Sequence, residues 1–250
     1  MGNIFSSLFG KNKTEQHADF SLLGADMHSH FIPGIDDGSK NMDDSISLIR
    51  AMAGMGFRKL ITTPHIMSDS FRNTSAGITE GLIKLKEKLA EELISVEMEA
   101  AAEYYLDDAF GKLLEKGDLL TFGKEKYLLV EVSYINYPEN FNKIVFDILV
   151  KGYTPVLAHP ERYPFWSVKF DDYKKLRDMG VLFQLNITSL SGYYGPDVKR
   201  IAEKLAVNNM VDFLGSDVHH ERHIAALQKS LSSKTLNALL KNGHLLNKNL

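Results

Sequence analysis

The chain has 250 residues, 44% of them hydrophobic, which suits one large α/β domain with a substantial core. It contains nine histidines and no cysteine, so disulfides, zinc–thiolate sites and cysteine nucleophiles are excluded. The net charge of −3, with both signs interspersed, gives no broad face for nucleic acid; no apolar run approaches the ~18 residues of a membrane span, and the expected compartment is the cytoplasm.

Residues 1–20 read as a tail outside the domain, which is expected to cover 21–250. Ile4, Phe5, Leu8 and Phe9 would make an apolar stripe followed by Lys11 and Lys13, and the opening Met-Gly-Asn-Ile-Phe-Ser fits the myristoylation pattern. A frayed terminus is the simplest reading, and any membrane contact is expected through this tail alone. Residues 21–27 read as a buried strand ending near Pro33 and Gly34. Just past its apolar part stand His28 and His30, whose i, i+2 spacing on extended backbone points both imidazoles to one side, followed by Asp36 and Asp37.

Residues 41–53 carry apolar side chains at helical spacing with acids in the first turn. Residues 59–63 are a second strand, ending at Pro64-His65. A long amphipathic helix over 75–93 leads to a third strand over 96–102 that runs into Glu103-Tyr104-Tyr105. After a short helix over 109–116, residues 127–130 make a fourth strand with Glu131 at its end. A helix over 138–151 and a strand over 154–158 place His159, Glu161 and Arg162. A helix over 171–179, a strand over 181–187, a helix over 196–207 and a strand over 211–215 follow, the last leading into Ser216-Asp217-Val218-His219-His220. Residues 227–240 read as a closing helix and 247–250 as a frayed end.

About seven strands alternating with helices predict a parallel sheet, in which right-handed crossovers bring every strand's C-terminal end to one rim. His28, His30, His65, Glu103, Glu131, His159, Asp217 and His219 all follow predicted strands directly. Imidazoles and carboxylates together suit manganese, iron or zinc, and bridging carboxylates let two or three ions share a site. Such a site lowers the pKa of a shared water and supplies a nucleophile without any side chain attacking. Arg162, three residues after His159, is placed to grip phosphate oxygens, with a surface ion pair to Glu161 as the plainer alternative. Arg222 and His223 are weaker candidates for the same duty, and His220 reads as a neighbour. Tyr104, Tyr105, Tyr134 and Tyr163 are candidates either for packing a substrate ring or for the core.

The motifs His28-Ser29-His30, Asp36-Asp37-Gly38, Thr62-Thr63-Pro64-His65, Ala102-Glu103-Tyr104-Tyr105, Glu131, Ala158-His159-Pro160-Glu161-Arg162-Tyr163 and Ser216-Asp217-Val218-His219 resemble, in order and spacing, the polymerase-and-histidinol-phosphatase (PHP) superfamily. Within it the chain is most similar to the bacterial capsule and exopolysaccharide tyrosine phosphatases of the CpsB/YwqE type, over about residues 22–245. The resemblance implies a distorted seven-stranded (β/α)7 barrel holding about three ions, manganese with iron, zinc or magnesium as alternatives. It assigns His28, His30, Glu103 and Asp217 to one ion, Glu103, Glu131 and His159 to a second, and Asp37, His65 and His219 to a third. Arg162 and Arg222 would neutralise the charge developing on phosphorus, and the implied substrate is phosphotyrosine in the tail of a partner tyrosine kinase. Homo-oligomers are implied as well, though residues 41–50 match the family's assembly helix only loosely.

Three rivals stand beside this reading. One is a PHP phosphoesterase acting on a small ester such as histidinol phosphate. Another is an amidohydrolase, which commonly uses a carboxylated lysine where this chain has Glu131. The third is a barrel that only binds the kinase tail, against which stands the complete set of ligand positions.

Overall fold

Apolar runs of three to five residues bounded by turns become strands, and the amphipathic stretches between them become helices. A computed structural model describes residues 19–242 and 244–250. Among the described residues the strands are β1 (Ala25–Asp26), β2 (Lys59–Thr62), β3 (His65–Ile66), β4 (Glu97–Ala100), β5 (Glu103–Tyr105), β6 (Tyr127–Glu131), β7 (Thr154–Ala158), β8 (Leu182–Asn186) and β9 (Phe213–Gly215). The helices are α1 (Met42–Gly54), α2 (Ser75–Glu91), α3 (Phe110–Lys116), α4 (Phe141–Val150), α5 (Pro164–Val168), α6 (Asp171–Asp178), α7 (Pro196–Val207), α8 (Glu221–Ser230) and α9 (Lys234–Asn242). Every ladder between them is parallel, in two sheets ordered β1-β2-β4 and β3-β5-β6-β7-β8-β9.

The expected strand over 59–63 is followed by a further short strand beyond Pro64, and the expected strand over 96–102 stops at Ala100, with β5 starting at Glu103. Pro64 has no N–H to offer a ladder, so β2 stops before it and β3 starts after it. The backbone partners continue across the break: Ala101 N–H donates to the Thr62 carbonyl at 2.9 Å and Glu103 N–H to the Pro64 carbonyl at 3.1 Å. The pair of strands thereby passes from one sheet to the other without stranding buried polar groups. The last strand meets the first through an isolated bridge between Ser29 and Val218. Beside it the Asp26 carboxylate accepts from both the N–H and the hydroxyl of Ser216 at 2.7 Å.

Leu128, Leu129, Val130, Val156, Leu157, Phe183, Leu185, Phe213 and Leu214 are fully buried, the near-continuous apolar pattern of strands covered on both faces. Met27, Ile61, Ala101, Leu129, Val156 and Phe213 form a buried cluster one to four residues upstream of His28, His65, Glu103, Glu131, His159 and Asp217.

Some expectations need correction at the chain ends and in the connections. Within residues 21–27 only Ala25–Asp26 is strand; Phe20–Leu22 is a 3-10 turn, and Gly24, at φ +80, redirects the chain into β1. Phe20 is buried and stacked on Phe57 with ring centroids 4.7 Å apart, while residues 1–18 of the expected tail lie outside the described residues. The closing helix is two helices, α8 and α9, parted at Leu231-Ser232-Ser233. The final residues do not fray. Leu246–Asn249 is a 3-10 turn in which the buried Asn247 amide donates to the Ala25 and Leu214 carbonyls, and its oxygen accepts from Leu214 N–H. An asparagine in a polar terminal stretch carries no sign of which carbonyls it will serve, so this tie was invisible in the sequence.

Candidate metal centre

At the strand ends the chain turns sharply. His159 and Asp217 occupy the left-handed region, at φ +35 and φ +52, which non-glycine residues adopt only when their surroundings enforce it. That strain accompanies two side chains aimed into one cluster. Glu103, fully buried at the start of β5, lies at its middle. Its Oε2 is 3.0 Å from His28 Nε2, 3.5 Å from His30 Nε2 and 3.3 Å from His65 Nδ1, and its Oε1 is 3.1 Å from His159 Nε2. Glu131 approaches His65 Nδ1 at 2.9 Å, and Asp37 approaches His65 and His219 at 3.5 and 3.4 Å. Asp217 Oδ1 lies 3.4 Å from His28 Nε2 and 3.6 Å from His30 Nε2.

Donors held about 2.1 Å from one ion lie roughly 3.0–3.4 Å from each other, which is the spacing found here. Four overlapping sets each bring one ligand atom per residue within 4.8 Å of the others: His30, Asp37, His65 and His219; His28, His30 and Glu103; His28, His159 and Asp217; and His65, Glu103 and Glu131. All nine expected residues are thus brought together, although the sets divide them differently from the resemblance: His65 also joins Glu103 and Glu131, and His159 joins His28 and Asp217. His30 Nε2 is buried without a hydrogen-bond partner, and His65 Nδ1 and Glu131 Oε1, buried 2.9 Å apart, form no aligned hydrogen bond with each other or with another group. Buried polar atoms are costly when unpaired, and three of them aimed into one cluster fit cation binding.

Polar side chains that the sequence reading left unassigned hold these groups in place. His28 Nδ1 is 2.7 Å from Gln184 Oε1, and His30 Nδ1 is 2.8 Å from Asp36 Oδ2, fixing both rings with Nε2 inward. Asn186 Nδ2 donates to Asp217 Oδ2 at 2.7 Å. Gln184 and Asn186 alternate along β8, and that period-two polar pattern inside an apolar strand was a readable signal. Gly38 fits under His30 because it lacks a side chain: an added Cβ would stand 2.3 Å from the His30 carbonyl oxygen and 2.4 Å from its Cβ. Gly38→Ala is expected to cost about 1–3 kcal/mol by overpacking, and to weaken metal retention in a dialysis series.

The charges are tightly coupled. Burial alone would lower the His28 pKa, but the Glu103 and Asp217 carboxylates outweigh it and lift it to about 10; His65, likewise buried, is lifted to about 10 by Glu103 and Glu131. Burial would raise Glu103, yet His28 and His65 hold it well below the usual carboxylate range. His159 is instead lowered by its burial. In metal-free protein His28 and His65 therefore carry protons at pH 7, and a cation must displace them. Metal uptake near pH 7 is expected to release about two protons per chain, read by calorimetry in buffers of different ionisation enthalpy. Both pKa values are raised above the unfolded 6.5, so their contribution to metal-free stability is complete below about pH 6.5 and is lost as pH rises towards 10.

The cluster opens into a cleft of about 610 Å³ walled by Phe71, Tyr105, Tyr134, Tyr193 and Tyr194. Of the four tyrosines read from the sequence, Tyr105 and Tyr134 line it. Tyr104 and Tyr163 are core residues whose hydroxyls accept from Leu120 and Val132 N–H. Arg162 does not pair with Glu161, which is buried and accepts from Asn186 N–H and the Ser189 hydroxyl. Its guanidinium instead donates to Asp217 Oδ2 at 3.3 Å and lies between two rings, 4.7 Å from the Tyr134 centroid and 4.2 Å from that of Tyr194. Arg222 lines an adjoining cavity of about 450 Å³ that shares Asp37, His219 and His220 with the cleft.

Residues 24–236 match the family described as capsular polysaccharide synthesis, CpsB/CapC. The chain belongs to the CpsB/CapC family. This CpsB/CapC chain is 29% identical over 232 residues to the tyrosine-protein phosphatase YwqE of Bacillus subtilis, covering 90% of this chain and 91% of that one. It is also 29% identical over 201 residues to the tyrosine-protein phosphatase CpsB of Streptococcus pneumoniae, covering 78% and 82%. A solved structure described as YwqE and CpsB, metal-dependent tyrosine phosphatases, aligns with a TM-score of 0.78 at 29% identity, over 90% of this chain and 94% of the other. The CpsB/CapC cluster described above spans His28 to His219 and so falls wholly inside the matched segment.

Proposed function

We propose that the chain is a metal-dependent protein-tyrosine phosphatase acting on the phosphotyrosine tail of a partner kinase that controls capsule or exopolysaccharide synthesis. The observation that carries this reading is the set of four overlapping imidazole–carboxylate groups at the base of an aromatic-walled cleft with Arg162 at its side. We place one catalytic domain over residues 21–250, with strand ends arranged as in a distorted seven-stranded barrel; joining β2 to β3 and β4 to β5, together with the Ser29–Val218 bridge, supports that arrangement. Among the described residues no helix is long and apolar enough to cross a membrane, and we assign the enzyme to the cytoplasm.

His28, His30, Asp37, His65, Glu103, Glu131, His159, Asp217 and His219 would hold about three ions, manganese ahead of iron, zinc or magnesium. When bound, such ions supply Lewis-acid charge to phosphoryl oxygens and lower the pKa of a shared water. Arg162, held by Asp217 and the Tyr134 and Tyr194 faces, presents its fork to oxygens that gain charge as the phosphorus–oxygen bond breaks. The flat walls of Phe71, Tyr105 and Tyr193 suit a phenyl ring. A tyrosine phenolate, with a pKa near 10, leaves with little help from a general acid. Overall, water's oxygen ends on phosphorus and tyrosine regains its hydroxyl proton.

The test is turnover of a phosphotyrosine peptide beside histidinol phosphate under identical metal loading. The peptide is expected to be the better substrate. Preference for histidinol phosphate would replace this reading with that of a small-ester phosphatase.

A further inference from the structure

The geometry points to His223, rather than Arg222, as the second hydrogen-bond donor facing the phosphoryl group, an inference that rests on the phosphatase reading above. Both residues sit in the first turn of α8, where successive side chains diverge by about 100°. Arg222 accordingly lines the adjoining cavity with Lys40 and Asp44, and His223 lines the cleft with Arg162. Among the described residues lining the cleft, Arg162 is the one arginine or lysine, which leaves the remaining phosphoryl oxygens in need of donors.

The ring's proton can be placed from its neighbours. His219 N–H donates to His223 Nδ1 at 3.1 Å, so Nδ1 carries the lone pair and the proton of the neutral ring is on Nε2. Among the described residues, the hydrogen bond made by the ring is the one at Nδ1, which leaves Nε2–H free to face the cleft. The ring is fixed by stacking on His220, with centroids 4.1 Å apart, and by the edge-on Tyr193 at 4.9 Å. Tyr194 stands between the two donors, 4.2 Å from the Arg162 guanidinium and 6.5 Å from the His223 ring. His223 thus offers a preorganised N–H that donates a hydrogen bond and keeps its proton while the bond from phosphorus to the tyrosine oxygen breaks.

Two substitutions separate this duty from mere support of His219. In His223→Gln the side-chain NH2 reaches the Nε2 position, whereas in His223→Asn the amide reaches only the Nδ1 position and can still accept from His219 N–H. Metal-loaded full-length wild type, both variants and Arg222→Ala are assayed with an aryl phosphate and a phosphotyrosine peptide, with metal content, thermal midpoint and the inhibition constant for inorganic phosphate measured alongside. At equal metal content, His223→Asn is expected to lose about 10²-fold in turnover and to bind inorganic phosphate more weakly, with His223→Gln at least tenfold more active than the Asn variant. Equal activities of the two variants, a more active Asn variant, or a larger loss in Arg222→Ala than in His223→Asn overturns the assignment. Wild-type protein that turns over neither substrate contradicts the phosphatase reading itself.

Discussion

Glu103→Gln is expected to abolish turnover of aryl phosphates, by about 10³-fold or more, and to strip the protein of metal. The substitution keeps the shape of the side chain and removes only its charge. Within 3.5 Å of this one carboxylate lie nitrogens of His28, His30, His65 and His159, so no other acid in the cluster touches as many of the donor sets. Partners that merely orient a ligand account for about 10- to 100-fold in affinity or activity, and a group shared between sets should exceed that. In metal-free protein the same charge offsets the positive His28 and His65, so the Gln variant also lowers both pKa values. The checks are metal per chain by elemental analysis and kcat on an aryl phosphate. A Gln variant that keeps wild-type metal content and turnover would remove Glu103 from the centre.

Arg162→Ala is expected to lose about 10²- to 10³-fold in kcat with metal content unchanged. The two effects separate because Asp217 Oδ2 also accepts from Asn186 at 2.7 Å and from the Tyr194 hydroxyl at 3.4 Å, so the carboxylate stays in place when the guanidinium is removed. Arg162→Lys should recover little. An ammonium has no planar fork for two phosphoryl oxygens and cannot lie flat between the Tyr134 and Tyr194 rings. Steady-state kinetics beside elemental analysis decides this: a fall in metal content parallel to the fall in kcat would make Arg162 a prop for Asp217 and not a group facing substrate.

The sequence carried the site further than it carried the backbone. His65, Glu131, His159 and Asp217 were legible because each follows an apolar run at the position where a parallel strand ends, and the rim of such a sheet collects them whatever the details of the ring. The stop before Pro64 was legible as well, because proline has no N–H for a ladder, but the resumption of strand at His65 and the break at Ala101-Ala102 were not, since they depend on how the partner strand continues. Asp36 was visible next to Asp37, but only the fold shows that one reaches the cluster while its neighbour braces His30. Tyr104 and Tyr105 are adjacent, and strand alternation sends one into the core and one to the cleft; the sequence could not say which. Arg222 and His223 pose the same problem on a helix, where one step of rotation separates two cavities.

We infer that donors from seven separate stretches of chain converge on shared cations. Anomalous scattering from crystals of the metal-replete protein tests it most directly. Transition-metal peaks are expected within coordination distance of Glu103 and of the His28, His30, His65, His159 and His219 nitrogens. Well-ordered imidazoles around Glu103 with no anomalous signal among them, in crystals of protein that still hydrolyses aryl phosphates, would contradict it.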